Sequence, residues 1–431
     1  MVRVAIIGGG FAGASVVSAL ADTAPGADLV VYSPSDILES SAFHTDGDGR
    51  LSGLTNTDLD TFSLGQRSLT TRLRAITPPG SNFCKRTDVG RTIKEHLESV
   101  TFSLRTTTMV SYHKTNDGKI VVTGNDGSQQ RFDHIVLCRG YSDPAIPVAL
   151  RQLLNNVPSS SAVLDPYAPS ALSQVAPSNL IVGMGPTAVD TALALCARGE
   201  PCHLVSRSGL FPAVKLASPR GSAVTQLHYR LPRPSHGIAN TDWANSVIRA
   251  IDSDSLLPVQ PGVDDTNHAG SVLNDDIDAA LSTPISASWS RHCLDLIDTM
   301  NTTFRGEATT IAPDLSRALN ALCIDNALQI QKFLEIGLLT TSKFDASSIG
   351  FTRHGYTTDG HRFFKRLVLA AGRGRVRSPI QRSPIIHRIG AEDPSLPIVN
   401  GVHILSASAV TVAHAICGDV ELPAARRCSR R

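Results

Sequence analysis

The sequence predicts an α/β fold of two Rossmann-like units with three-layer ββα/βαβ architecture and a largely helical insertion. Two observations predict it. A short apolar strand, a glycine-rich turn and a helix of small residues stand at the start of the chain, and the same succession recurs 175 positions later, from Gly8 to Gly183. The stretch that follows, up to an apolar strand at Phe364, carries mainly helical patterning.

Val2–Ile7 (VRVAII) reads as a buried strand, and Gly8-Gly9-Gly10-Phe11-Ala12-Gly13 follows it at once as GxGxxG, with Ala14–Leu20 continuing as helix. Gly8 permits the tight turn, Gly10 lets the backbone approach a pyrophosphate, and Gly13 lets the helix pack on its strand. The helix N-terminus offers free N–H groups and positive dipole to the anion. Gly8, Gly10, Phe11, Ala12 and Gly13 are therefore candidate dinucleotide contacts. The next strand, Asp28–Tyr32, should end in an acid for the ribose, but Ser33 stands there. A hydroxyl can still hydrogen-bond the ribose, without the strength of a carboxylate. Asp36 and Glu39 are the acids close enough in sequence to reach back.

The second unit repeats this logic. Asn179–Val182 is a strand, Gly183-Met184-Gly185-Pro186-Thr187-Ala188 gives GxGxxA, and Val189–Ala197 is a helix stopped by Gly199. The following strand, Cys202–Val205, ends in Ser206-Arg207-Ser208. An NAD site carries a carboxylate at this point, whereas a guanidinium suits the 2′-phosphate of NADPH. Gly183, Gly185, Pro186, Thr187, Ser206 and Arg207 form the second candidate site. Two such units imply a flavin, FAD, in the first and a nicotinamide donor, NADPH, in the second.

Arg91–Val100 has helical periodicity. Two Asn-Asp-Gly turns, at 116–118 and 125–127, flank a strand over 119–123 and predict a β-meander. Phe132–Cys138 should return to the parallel sheet. Asp46–Gly49 lacks the ligand alternation of a calcium loop. Thr283–Met300 and Ser316–Leu339 are helical tracts, and 258–270 is a polar linker. His228, His236, Arg291 and His292 are candidate substrate contacts, each weighed against an ordinary surface role. Phe364–Ala370 and Gly401–Leu405 read as strands, the latter followed by a helix over Ser406–Cys417.

Composition narrows the function. The net charge is +2, so no nucleic-acid partner is implied; Arg426–Arg431 reads as a solvated tail. The 8 cysteines include no CxxC pair and no metal spacing, which argues against a dithiol-shuttling flavoenzyme. No apolar run is long enough to span a membrane, and the opening residues read as a strand and not a signal peptide. A cytoplasmic protein with a small-molecule substrate is expected, with homo-oligomer formation left open.

The chain resembles the two-dinucleotide-binding-domain flavoproteins, the FAD-NAD(P)-binding group that includes N-hydroxylating and Baeyer–Villiger monooxygenases. The resemblance rests on VAIIGGGFAGASVV, the Arg91 helix, IVLCRGYSDP, and LIVGMGPTAVDTALAL running into HLVSRSGLFP. It covers residues 1–215 well and 365–417 loosely. It implies that Gly8, Gly10 and Gly13 contact the FAD pyrophosphate, and that Gly183, Gly185 and Arg207 contact the nicotinamide nucleotide. Arg139-Gly140 stands where relatives have a threonine–glycine turn, and Leu405-Ser406-Ala407 where many have Gly-Asp before the final helix, so Arg139, Gly140 and Ser406 join the candidates. The implied organisation is an FAD domain over 1–170 plus 365–425, the start of the NAD(P)H domain over 171–215, and a mainly helical substrate region with the rest of the second domain over 216–364. The implied activity is an NADPH-using monooxygenase. The Phe-Gly-to-His-Pro fingerprint of the Baeyer–Villiger group is absent. An NADPH-dependent reductase without oxygen insertion and a non-catalytic nucleotide-binding protein are the alternatives.

Overall fold

The computed structural model describes residues 1–39, 41–44, 51, 53–141, 144–215, 268–282, 301, 313–344, 346–358, 360–372, 383–393 and 402–418. The 46–49 loop, His228, His236, Arg291, His292, the tract over 283–300 and the C-terminal basic tail lie outside these residues.

The chain opens with β1 (Arg3–Ile7), α1 (Phe11–Thr23) and β2 (Asp28–Ser33). A short hairpin of β3 (Ser63–Leu64) and β4 (Arg67–Ser68) leads to α2 (Thr70–Ile76) and α3 (Arg86–Leu97). Then come β5 (Ser103–Thr106), the meander β6 (Met109–Lys114), β7 (Ile120–Gly124) and β8 (Gln129–Phe132), and β9 (His134–Leu137). The connection α4 (Val148–Asn155) precedes β10 (Ala162–Val163), β11 (Asn179–Val182), α5 (Pro186–Ala197), β12 (Cys202–Ser206) and β13 (Val214–Lys215). The helical region contributes α6 (His268–Ser282), α7 (Pro313–Leu319), β14 (Leu322–Cys323) and α8 (Ile324–Glu335). The remainder is β15 (Leu339–Lys343), a second meander of β16 (Gly350–Thr352), β17 (Gly355–Thr357) and β18 (Phe363–Phe364), then β19 (Arg366–Leu369), β20 (Ile386–Arg388) and α9 (Val402–Cys417).

Two five-stranded parallel sheets organise these elements, in the orders β20-β9-β1-β2-β5 and β10-β19-β11-β12-β15. Strand periodicity splits β1 between two cores. Val4 and Ile6 face α1, α3 and α9, while Ala5 and Ile7 face Ile120, Val122 and Phe132 of the first meander. Both faces are covered, so the strand is apolar without alternation. The second sheet is built alike: Ile181, Leu204 and Val368 face α5, α6 and α8, and Leu180, Val182 and Leu367 face α4 and the second meander. Each unit therefore has three layers: helices, parallel sheet and antiparallel meander. The small residues of α1 let it lie flush between sheet and α9. Val16, Val17 and Leu20 are wholly buried there, each worth about 1.5–3 kcal/mol.

Four expectations need correction. The strand over 364–370, expected to complete the first unit, pairs as β19 with β11 in the second sheet; the first sheet takes its last strand from β20, beside β9. The segment 401–405 is not a strand, because α9 begins at Val402. Periodicity over so short an apolar run cannot separate the two, but burial of Val402, Ala409, Ala413 and Ile416 follows helical spacing. The tract over 316–339 breaks into two helices around β14, and α3 starts five residues before Arg91.

Candidate functional site

Each parallel sheet carries a glycine turn at the carboxyl end of its central strand. Gly8 has φ +118° and Gly183 has φ +125°. A side chain at Gly8 would overlap the carbonyl of Cys138, and one at Gly183 that of Ala370, so both turns press on the neighbouring strand's exit. Gly8 N–H donates to the Tyr32 carbonyl at 2.9 Å and Gly183 N–H to that of Val205 at 2.8 Å. The two turns are thus built alike, bond for bond, on different sheets.

Gly10 and Gly185 are the N-caps of α1 and α5. No side chain caps either helix, and neither has an acid in its first turn. The space at these glycines is open: the nearest atom to a Cβ at Gly10 would be Ser41 Cβ, 3.9 Å away, and at Gly185 none lies within 4 Å. Open backbone at an uncapped helix N-terminus fits a diphosphate. Phe11 and Ala12 are buried, Phe11 against the ring of Phe43 at 5.4 Å, and Gly13 packs on the Gly8 carbonyl. Pro186 occupies the start of α5, where its missing N–H costs nothing, and Thr187 follows within the first turn.

The ribose end of the first site is closed. Ser33 is 1% exposed and its Oγ has no hydrogen-bond partner. The 34–39 loop folds over it, with Leu38 N–H donating to the Gly9 carbonyl at 2.6 Å. Leu38 itself adopts φ +70°. Of the two acids near this loop, Glu39 is paired with Lys94 and Asp36 is exposed. The donor set thus fits the phosphates, while the end of β2 offers a buried hydroxyl instead of a carboxylate.

Arg139 leaves β9 beside the first glycine turn and forms an ion pair with Glu392. Glu392 lies in the turn Gly390–Glu392 that follows β20, and Arg388 stands on its other side at 3.7 Å. Burial, reinforced by the Glu392 charge, pushes the Cys138 thiol up to about 12. Gly140 turns the chain away with φ +79°. No acid stands at Leu405-Ser406-Ala407; the acidic stretch Gly390-Ala391-Glu392-Asp393 lies earlier, between the last strand and the last helix. Ser406 instead lies in the second turn of α9, buried, and donates to the Ser63 carbonyl at 2.5 Å.

At the second unit, Ser206 closes β12 and its Oγ accepts from Gly209 N–H at 3.0 Å. Arg207 follows, exposed. The hydroxyl of Ser208 stands 3.3 Å from that of Ser206. An exposed arginine between two serines, past the strand adjacent to the glycine turn, has the chemistry to hold a phosphate monoester.

A feature the sequence did not announce lies between the units. Asp190, one turn into α5, accepts from Arg86 Nη1 at 2.5 Å and from the Tyr167 hydroxyl; its side chain is 1% exposed and that of Arg86 10%. Burial opposes the Arg86 charge, but Asp190 outweighs it and holds the guanidinium protonated. The single acid in VDTALALCA was the available signal, since a carboxylate on an apolar helix requires a partner.

Among the described residues no group of three or more His, Cys, Asp or Glu is arranged to hold a metal, and no helix is long and apolar enough to cross a membrane.

The family model described as pyridine nucleotide-disulphide oxidoreductase matches residues 2–218. No curated protein matches the sequence. Among solved structures, the chain is similar to the cadaverine monooxygenase of desferrioxamine biosynthesis from Erwinia amylovora, bound to FAD. The two are 13% identical with a TM-score of 0.56, over 96% of this chain and 94% of that one. It is also similar to L-lysine 6-monooxygenase from Pseudomonas syringae (15% identity, TM-score 0.52, 97% and 99% covered). A third is bacillithiol disulfide reductase from Staphylococcus aureus (10% identity, TM-score 0.53, 98% and 100% covered). At these identities the likeness is one of fold, shared by oxygenases and reductases alike. The chain belongs to the pyridine nucleotide-disulphide oxidoreductase family of FAD- and NAD(P)-dependent enzymes.

Proposed function

We propose that the chain is an NADPH-using flavoprotein monooxygenase acting on a small molecule, with FAD at the Gly8–Gly13 turn and NADPH at Gly183–Thr187, Ser206 and Arg207. A bound flavin would supply hydride acceptance from the nicotinamide and reaction with oxygen. The chain's own part is to fix the diphosphates at two uncapped helix ends, to select the donor by charge at Arg207, and to keep water out.

The observation that carries the oxygenase reading is the state of the thiols. A disulfide-exchanging relative needs an accessible, low-pKa cysteine. Of the six described cysteines, five are buried and Cys417 alone is exposed. Burial pushes Cys84 up to about 11 and Cys323 up to about 12. Cys196 and Cys202 approach one another, but they are 2% and 4% exposed inside the second unit. Oxygen, which needs no protein thiol, is the acceptor this arrangement favours.

The test begins with the purified protein, which should carry flavin absorbance or acquire it with FAD. NADPH should bleach it anaerobically faster than NADH does. Re-aeration should consume NADPH and release peroxide in the absence of substrate. Bleaching with no oxygen consumption would replace the oxygenase reading with a reductase; a chain that never takes up flavin would remove both.

A further inference from the structure

Gly53–Asn56 and Phe83–Arg86 of the first unit run side by side, through Leu54 pairing with Lys85, Thr55 N–H to the Cys84 carbonyl at 2.8 Å, and Arg86 N–H to the Gly53 carbonyl at 3.1 Å. Together they dock on the second unit. Asn56 Oδ1 accepts from Cys323 N–H at 3.0 Å, Phe83 packs against Cys323, and Leu51 enters the core around Met184 and Ala188. At the centre Arg86 reaches Asp190, which also holds Tyr167, and Arg86 Nη1 lies 3.2 Å from the Tyr167 hydroxyl. A Cβ at Gly53 would come within 2.9 Å of Asp190 Oδ1, so a side chain there would push the carboxylate from its place.

A buried ion pair is a poor stabiliser, because desolvation consumes most of its attraction and apolar residues of equal volume serve as well. This one also leaves Asp190 Oδ1 buried without a partner, a further cost. What it offers that an apolar contact does not is direction. Asp190 sits one turn from the open N-terminus of α5, and Arg86 is the first residue of α3. Any rotation of α5 about this point swings its glycine end.

We infer that Asp190 is a positioning residue: by gripping Arg86 and Tyr167 it sets the angle of the second nucleotide site relative to the first. This rests on the two-nucleotide reading above. Hydride transfer is steep in distance and alignment, so loss of the grip should lower the transfer rate while each nucleotide still binds.

The experiment places spin labels at Val110→Cys and Val175→Cys, exposed positions on the first and second units, with Cys293, Cys417 and Cys428 changed to Ser. Distances are compared for the parent, Asp190→Asn, Arg86→Lys, and the volume-filling double variant Arg86→Met with Asp190→Leu, which keeps the fold testable if the single change unsettles it. The parent should give one narrow distribution, and Asp190→Asn and the double variant distributions about twice as wide. Arg86→Lys, which keeps a charged donor, should recover most of the narrowness. With both nucleotides bound, flavin reduction at saturating NADPH should fall about tenfold or more in the two widened variants, with NADPH affinity within about threefold. An unchanged width in both would overturn the inference, as would a loss confined to KM. The distance measurement needs no flavin, so the two failures are distinguishable: a colourless protein would refute the functional reading, whereas unchanged widths would refute the grip of Asp190 on the angle between the units whether or not flavin binds.

Discussion

Arg139 and Glu392, 253 residues apart, meet in an ion pair whose carboxylate is entirely buried while the guanidinium keeps 39% of its side-chain surface. With Arg388 on the far side, one acid serves two bases. It also ties the exit of β9 to the turn after β20, the two strands that flank the first glycine turn on that edge of the sheet. Glu392→Gln removes the counter-charge from both arginines, and a buried charge stripped of its partner is costly. Discounting for the exposure of Arg139, the variant should lose about 2 kcal/mol, read from the urea midpoint at neutral pH. An unshifted midpoint would show that the pair contributes nothing.

The glycines of the first turn should fail in different ways. A methyl at Gly10 enters open space, so Gly10→Ala should melt within a few degrees of the parent yet retain much less FAD after gel filtration. A methyl at Gly13 overlaps the Gly8 carbonyl, so Gly13→Ala should be strongly destabilised with or without FAD. Equal FAD retention in Gly10→Ala and the parent would refute the phosphate assignment.

Arg207→Ser should weaken NADPH by roughly 10–100-fold, the worth of a charge-assisted phosphate contact, and leave NADH nearly unchanged. Steady-state kcat/KM with both donors measures it. A parallel loss for both nucleotides would mean that Arg207 contributes general electrostatics and does not read the 2′-phosphate.

His387 and His134 stand with Nε2 and Nδ1 3.3 Å apart on adjacent strands. Burial, then the neighbouring His134, lowers His387 to about 4, and burial lowers His134 as well. The folded pKa lies below the unfolded value near 6.5, so between about 4 and 6.5 the unfolded chain binds more protons. Stability is therefore complete above about 6.5 and declines as pH falls toward 4. Both rings retain some exposure, so the loss should be about 1–2 kcal/mol. His387→Phe should flatten this part of the stability–pH curve; an unaltered slope would place the acid sensitivity elsewhere.

Much of the fold was legible because local rules carry it. The turn at Gly8 needs a positive φ and a bare backbone, and glycine spacing announces both. The Asn-Asp-Gly turns fixed the first meander for the same reason. What could not be read was partnership across distance. β19 is a short, largely apolar strand and β20 only Ile386-His387-Arg388; the sheet each joins is chosen by packing, and nothing within 364–370 says which glycine turn it will press against. Glu392 was overlooked because attention fell on Leu405-Ser406-Ala407, which reads as the end of a strand and is in fact part of α9. Asp190 stood in plain view on an apolar helix, but Arg86 lies 104 residues away and its approach is set by the docking of two units.

The placement of β20 and α9 has a consequence for how the chain comes to be folded. The second sheet takes all its strands from residues 162–369, whereas the first sheet opens at residue 3 and closes only at 388. The unit begun first on the ribosome is therefore finished last. Until α9 emerges, the outer side of α1 lacks its cover and the edge of β9 stands open for pairing. The second unit, whose strands are contiguous in this sense, can complete itself meanwhile. Slow synthesis beyond residue 370 would prolong exposure of an apolar helix and an open strand edge, the circumstance in which a nascent chain most needs a chaperone.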